Sequence, residues 1–144
     1  MNVRDAEITD AAVIARLLTQ LGYPSTARDV RERLAYWAAD QASRVLVSVE
    51  DGHVVGCLSL HAVPYLERTG RWARVESLVV DQFVRGTGIG RGLLRAAEDL
   101  ALDWGCLAVE VTSARTRRDA HAFYQRMGYT DLCDRAGRFW KTLL

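Results

Sequence analysis

Lysine is almost missing from this chain, with Lys141 the only one among 19 basic residues, so arginine carries nearly all the positive charge. Genomic base composition accounts for that bias, and no function is read from it. Cysteine is also scarce: Cys57, Cys106 and Cys133 form an odd set with no C-x-x-C pair, which argues against a disulfide framework or a zinc site. They read as small apolar residues in strands. The N-terminal region lacks the apolar run that a signal peptide or membrane span needs, so a soluble cytoplasmic protein with no membrane partner is expected. An excess of charge of one sign is absent as well. At a formal net charge of +1 there is no wide field to gather nucleic acid or an anionic surface, and neither is expected as a partner.

What is present fits one domain spanning residues 1–144, a length that can bury most of its surface around a single core. Residues 1–4 read as a strand. Thr9 or Asp10 then caps a helix whose stripe is Val13, Leu17, Leu18 and Leu21, and Gly22 and Pro24 stop it. Thr26 with Asp29 suggests a capping box for a second helix, carrying Val30, Leu34 and Trp37 on one face. Val45, Val47 and Val49 alternate before an Asp51-Gly52 hairpin turn and a strand over 54–61. Residues 73–80 form another strand-prone run. From Gly88 the period becomes helical through Ile89, Leu93, Ala97, Leu100 and Trp104, and Gly105 ends it. A strand at 107–111, a helix with Phe123 and Tyr124 capped at Gly128, and closing strands near 130–133 and 138–143 complete the order. That order implies a mixed α/β sheet covered by helices rather than a doubly wound fold.

The most informative stretch joins the apolar strand to the long helix through Val84-Arg85-Gly86-Thr87-Gly88-Ile89-Gly90-Arg91. Unpaired N–H groups and the positive dipole end at a helix start both favour phosphate, and glycine lets the backbone come close. Backbone donors from Gly86 to Gly90 can therefore cradle a pyrophosphate, with Arg85 and Arg91 adding charge-assisted contacts. A P-loop fails for want of a lysine. G-x-G-x-x-G fails because Arg91 or Leu93 stands where its third glycine belongs.

The run Arg85-Gly86-Thr87-Gly88-Ile89-Gly90 resembles the Q/R-x-x-G-x-G/A signature of GNAT acetyltransferases, and Ala120-His121-Ala122-Phe123-Tyr124-Gln125-Arg126-Met127-Gly128-Tyr129 is similar to the family's A-x-x-F-Y-x-x-x-G-F/Y segment. Both occur in the family's order, and the resemblance extends over nearly the whole chain. It departs at Gln82, where proline is frequent, at Val84, where an aromatic is common, and at Arg117, where many relatives carry asparagine. The resemblance implies a GNAT-like, mainly antiparallel twisted sheet with about four helices, whose strands at 73–80 and 107–113 splay apart. It implies acetyl-CoA as acyl donor, held by Leu78, Val79, Val80, Arg85, Gly86, Thr87, Gly88, Ile89, Gly90 and Arg91, and no metal.

Acyl transfer from a thioester to an amine needs a base for the ammonium proton, a donor for the oxyanion and a proton for the leaving thiolate. By resemblance, Glu76 is the general base through water, a backbone N–H near Leu78 faces the oxyanion from a bulge, and Tyr124 protonates the thiolate. The bland alternatives are a Glu76 that pairs with Arg74 or Arg115, and a Tyr124 packed with Phe123 and Met127. No Cys–His spacing favours an acyl-enzyme. His53 and His61 are expected to be exposed, and Tyr36, Trp37, Tyr65, Glu67, Trp72 and Trp140 to shape an acceptor pocket for a primary amine of a small molecule or protein. A CoA-binding regulatory module without chemistry is the rival reading, and a homodimer is left open.

Overall fold

The structure is a computed structural model that describes residues 2–113 and 117–144. Met1 and Arg115, both named above, lie outside the described residues. The chain divides into two compact units, Met1–Thr112 and Ser113–Leu144.

The first unit is a five-stranded sheet in the order β1-β2-β3-β4-β5, built from β1 (Asn2–Asp5), β2 (Ser43–Glu50), β3 (His53–Pro64), β4 (Arg71–Val80) and β5 (Cys106–Val111). The first three pairings are antiparallel and β4–β5 is parallel. Helices α1 (Ala11–Leu21), α2 (Ala27–Ala39) and α3 (Ile89–Asp103) cover it. The β2–β3 hairpin turns where the sequence pattern puts it. Asp51 and Gly52 both take positive φ, 49° and 79°, the backbone sense that matches the right-handed twist of the strands.

Local chemistry explains the helix starts. A short 3-10 turn, Ile8–Asp10, precedes α1. Its Asp10 carboxylate accepts from Glu7 N at 2.7 Å and from both Arg4 Nη atoms at 2.8 and 3.1 Å, which ties β1 to the first helix. The capping box of α2 forms as the spacing predicts. Thr26 Oγ1 accepts from Asp29 N at 3.1 Å and Asp29 Oδ2 from Thr26 N at 2.9 Å.

One sheet face buries the stripe of α1 and α2, where Ala11, Ile14, Leu17 and Val30 meet Val47, Cys57 and Val79. Helix α3 packs against β3 and β4, and its Leu93, Leu94 and Ala97 are fully buried. The contact is close at Gly56. A Cβ there would lie 2.9 Å from Leu93 Cδ1 and 3.1 Å from Ile89 Cγ2.

The second unit contains α4 (Arg118–Arg126) and the segment after it. The Phe123 and Tyr124 rings meet edge-on at 5.3 Å, and Tyr124 and Tyr129 at 6.1 Å. The expected closing strands near 130–133 and 138–143 are not formed. Around the first, Cys133 N donates to Asp131 Oδ1, and the amides of Arg135 and Ala136 both donate to Leu132 O. A turn thus takes the donors that a ladder would use. For the second, a strand-prone segment cannot by itself supply a partner edge.

Candidate active site

The phase of the β3–β4 ladder decides what β4 presents. Asp81 N donates to Val55 O at 2.8 Å, so Val55 and Asp81 form a hydrogen-bonded pair. Such pairs alternate with non-bonded ones in an antiparallel ladder. Val79 and Ser77 therefore spend their backbone groups on Cys57 and Ser59, whereas Leu78 and Val80 turn theirs away from β3. On that other side β5 pairs with β4 only as far as Val75↔Val111. Past Val75 no residue of β5 pairs with β4, and β5 itself ends at Val111. An extended ligand arm with amide groups can add to such an unpaired edge as an extra strand.

A β-bulge sits at the opening. Ser59 pairs with Ser77 and Leu60 with Val75, which leaves Glu76 as the extra residue, with its side chain exposed. The sequence reading located this irregularity near Leu78; the structure puts it two residues earlier. The Ser59 and Ser77 hydroxyls share a 2.6 Å hydrogen bond beside it. Arg74, considered above as a partner of Glu76, lies instead 4.0 Å from Glu110.

The turn that follows is held by its own groups. Val84 N donates to Asp81 O at 3.0 Å, Phe83 N to Asp81 Oδ1 at 3.2 Å, and Thr87 Oγ1 to Val84 O at 2.7 Å. Gln82 N donates to Gln20 Oε1 at 3.0 Å, which fastens the turn to the end of α1. Nothing in the sequence pattern singles out Gln20, because the contact spans 62 positions. Arg85 Nε donates to Val80 O at 3.2 Å, so this arginine also clamps the strand end.

Gly86 and Gly88 have φ of 83° and 86°, the left-handed region that side chains avoid, and a Cβ at either would meet nothing within 4 Å. Gly88 caps α3 without a side-chain acceptor. The first amides of α3 have no carbonyl a turn earlier to receive them, so they face outward as a donor set at the positive end of a 15-residue helix. Open space, orphan donors and the neighbouring Arg85 and Arg91 fit a pyrophosphate. Of the other residues expected here, Ile89 has its amide in the first turn of α3 and its side chain buried, and Val79 is a core residue at 3% exposure.

In the second unit, burial pushes the Tyr124 phenol above its ordinary range, with Arg117 opposing the shift. Tyr124 is therefore a protonated donor throughout the neutral range. Burial likewise pushes the Cys57 thiol up to about 12, and it raises Cys106 while Arg71 pulls the other way. These thiols are poor nucleophiles.

Among the expected pocket residues, Tyr65 and Trp72 pack with ring centroids 4.7 Å apart, and the Arg68 guanidinium lies 4.9 Å over Tyr65. Tyr36 is exposed, and Trp140 is exposed in the second unit beneath Arg138. His53 is exposed as expected, but His61 is not. Strand β3 continues past it to Pro64, and its ring stacks on Trp37 at 5.6 Å and 10°. Among the described residues no group of three or more His, Cys, Asp or Glu side chains is placed to hold a metal.

A mixed sheet whose β4–β5 pairing ends beside a bulge, with a glycine-rich helix start at the end of β4, is an arrangement that can take a phosphate-bearing ligand. The Acetyltransferase (GNAT) family matches residues 11–129, and the chain belongs to that family. It is 32% identical over 125 residues to the aminoalkylphosphonate N-acetyltransferase of Salmonella typhimurium, an alignment covering 87% of this chain and 79% of that protein. It is 27% identical to the aminoglycoside N(6')-acetyltransferase type 1 of Klebsiella aerogenes over 90% of each chain. A GNAT family acetyltransferase structure from Staphylococcus aureus shares the fold at a TM-score of 0.82 and 21% identity, covering 99% of this chain and 98% of that one. The protein is accordingly an acetyltransferase acting on amines, and the reading of a CoA-binding module without chemistry falls away.

Proposed function

We propose that this chain transfers acetyl from acetyl-CoA to a primary amine of a small molecule, and that residues 1–144 act as one cytoplasmic domain. The observation that carries this reading is the turn at Gly86 and Gly88, with its outward amides, at the open end of β4. Two of the relatives carry names that denote small-molecule amines, which favours a small acceptor over a protein. The family match runs across the boundary between the two units, which supports a single domain.

Bound acetyl-CoA supplies a thioester whose carbonyl carbon gains a bond to the amine nitrogen as its bond to sulfur breaks. The chain's own residues manage the protons and the charge. Glu76, exposed at the bulge, takes the ammonium proton through water, because an amine attacks only when neutral. The Leu78 N–H, turned away from β3, donates to the carbonyl oxygen as negative charge gathers there. Tyr124, held in its phenol form, gives its proton to the departing sulfur. No acyl-enzyme is required, in keeping with the buried, unreactive Cys57.

Free-thiol release from acetyl-CoA, measured against a panel of small primary amines and an amine-bearing peptide, tests this function. Small amines should be turned over, and Tyr124→Phe should lower kcat by about 10²–10⁴ while CoA affinity stays. Turnover of the peptide alone would refute the small-molecule acceptor, and an unimpaired Tyr124→Phe enzyme would remove the acid.

A further inference from the structure

Resting on the reading that the turn after β4 holds the coenzyme, one contact of that turn points to a residue outside it. Val84 N donates to Asp81 O at 3.0 Å, so residues 81–84 form a β-turn with Gln82 at its second position. Proline is favoured at that position because its ring sets φ in advance. Gln82 brings no such restriction. Unlike proline it keeps an N–H, and that N–H donates to Gln20 Oε1 at 3.0 Å. The bonds described for Phe83, Val84, Arg85 and Thr87 close within residues 80–87, whereas Gln20 reaches the turn from α1.

Both ends of this bridge are rooted in one core. Gln20 stands three residues after Leu17, and Gln82 three residues after Val79. Leu17 and Val79 belong to the same buried cluster, at 0% and 3% exposure. An acceptor carried by that shared core fixes the second residue of the turn relative to α1, where a ring would have fixed its torsion. We propose that Gln20 is a positioning residue for coenzyme binding, which acts through the Gln82 amide to hold the turn in the conformation that presents the first amides of α3. Without the bridge the turn visits other conformations, and the affinity falls with the fraction that stays competent. Protons are moved by other side chains, Glu76 and Tyr124, so the rate from the saturated complex should not depend on Gln20.

Gln20→Met keeps the length of the side chain and removes the acceptor. Calorimetric titration should show CoA bound about three- to tenfold more weakly, the worth of one neutral hydrogen bond. Steady-state thiol release should show KM for acetyl-CoA raised with kcat kept. Gln82→Pro removes the amide through which Gln20 acts, and Asp81, directly after β4, is placed in the extended setting that a residue before proline prefers. Whatever proline does to the affinity by itself, adding Gln20→Met in that background should change it by no more than about twofold. The proposal is overturned if Gln20→Met leaves CoA affinity unchanged while Gly88→Val weakens it, a result that spares the phosphate assignment. It is also overturned if kcat falls at unchanged affinity, or if the Gln20→Met loss persists at full size beside Gln82→Pro. Should neither Gly88→Val nor Gln20→Met alter CoA affinity, the coenzyme does not sit on this turn, and the underlying reading fails together with this proposal.

Discussion

Replacing Gly88 with valine separates the phosphate role of the turn from its structural role. The position has a φ of 86° and open space where a Cβ would go, so the cost is torsional and not a clash. For an L-residue the left-handed region costs about 1–2 kcal/mol, and a β-branched one is worse placed still. In a chain of this size, each kcal/mol lowers Tm by roughly 2–4 °C, so a fall of about 2–8 °C is expected. Gly52, at φ 79° in the β2–β3 hairpin with equally open space, carries the same backbone penalty far from the turn in sequence. Gly52→Val is therefore the control. Relaxation of the strain at Gly88 rotates the amides at the start of α3, and losing one hydrogen bond to a charged phosphate costs about 1.5–3 kcal/mol, or roughly ten- to a hundredfold in Kd. Calorimetric titration with CoA, beside thermal melts of both variants, reads the two effects independently. If Gly88→Val melts like Gly52→Val and still binds CoA within about twofold of the parent, the amides do not hold the pyrophosphate and the reasoning fails.

Glu76→Gln should reduce kcat/KM by about 10²–10⁴ with little change in CoA affinity, and a loss below about tenfold would assign the base elsewhere. Gly56→Ala places a methyl 2.9 Å from Leu93 Cδ1 and 3.3 Å from Val79 O. It should cost about 1–3 kcal/mol in chemical denaturation, and a neutral result would mean that α3 sits more loosely on β3. Asp10→Asn should destabilise by about 1–3 kcal/mol at neutral pH, since the carboxylate accepts from Arg4 and from Glu7 N. The Arg4 hydrogen bonds above all hold the folded-state pKa of Asp10 below its ordinary 3.8. Its contribution is therefore complete above that value and fades as pH falls through the folded pKa. Urea denaturation at several pH values should show the parent–variant gap closing below about pH 4, and a gap that does not change with pH would contradict the assignment.

Much of the fold was legible because its signals are short-range. The Thr26–Asp29 box, the Asp51-Gly52 hairpin and the helix start after Gly88 each depend on a few adjacent residues and on torsions only glycine accepts readily. The family resemblance rested on two such local runs. Misses came where a feature needed a distant partner. A closing strand was expected near residues 138–143, but a strand exists only when another edge pairs with it. His61 was expected at a strand end and instead lies inside β3 against Trp37.

By itself, the order of residues determined where the chain could turn, where helices could begin and which run of amides could meet a phosphate, because those are questions of local torsion and unpaired donors. Only the tertiary structure decided that Glu76 is the bulged residue, that Leu78 and Val80 turn away from β3, that Gln20 ties down the turn and that Arg74 stands beside His61. Each of these depends on the register between strands or on a contact across many positions. A shift of one residue in register would send every side chain to the other face, and no local pattern records which register the folded sheet adopts.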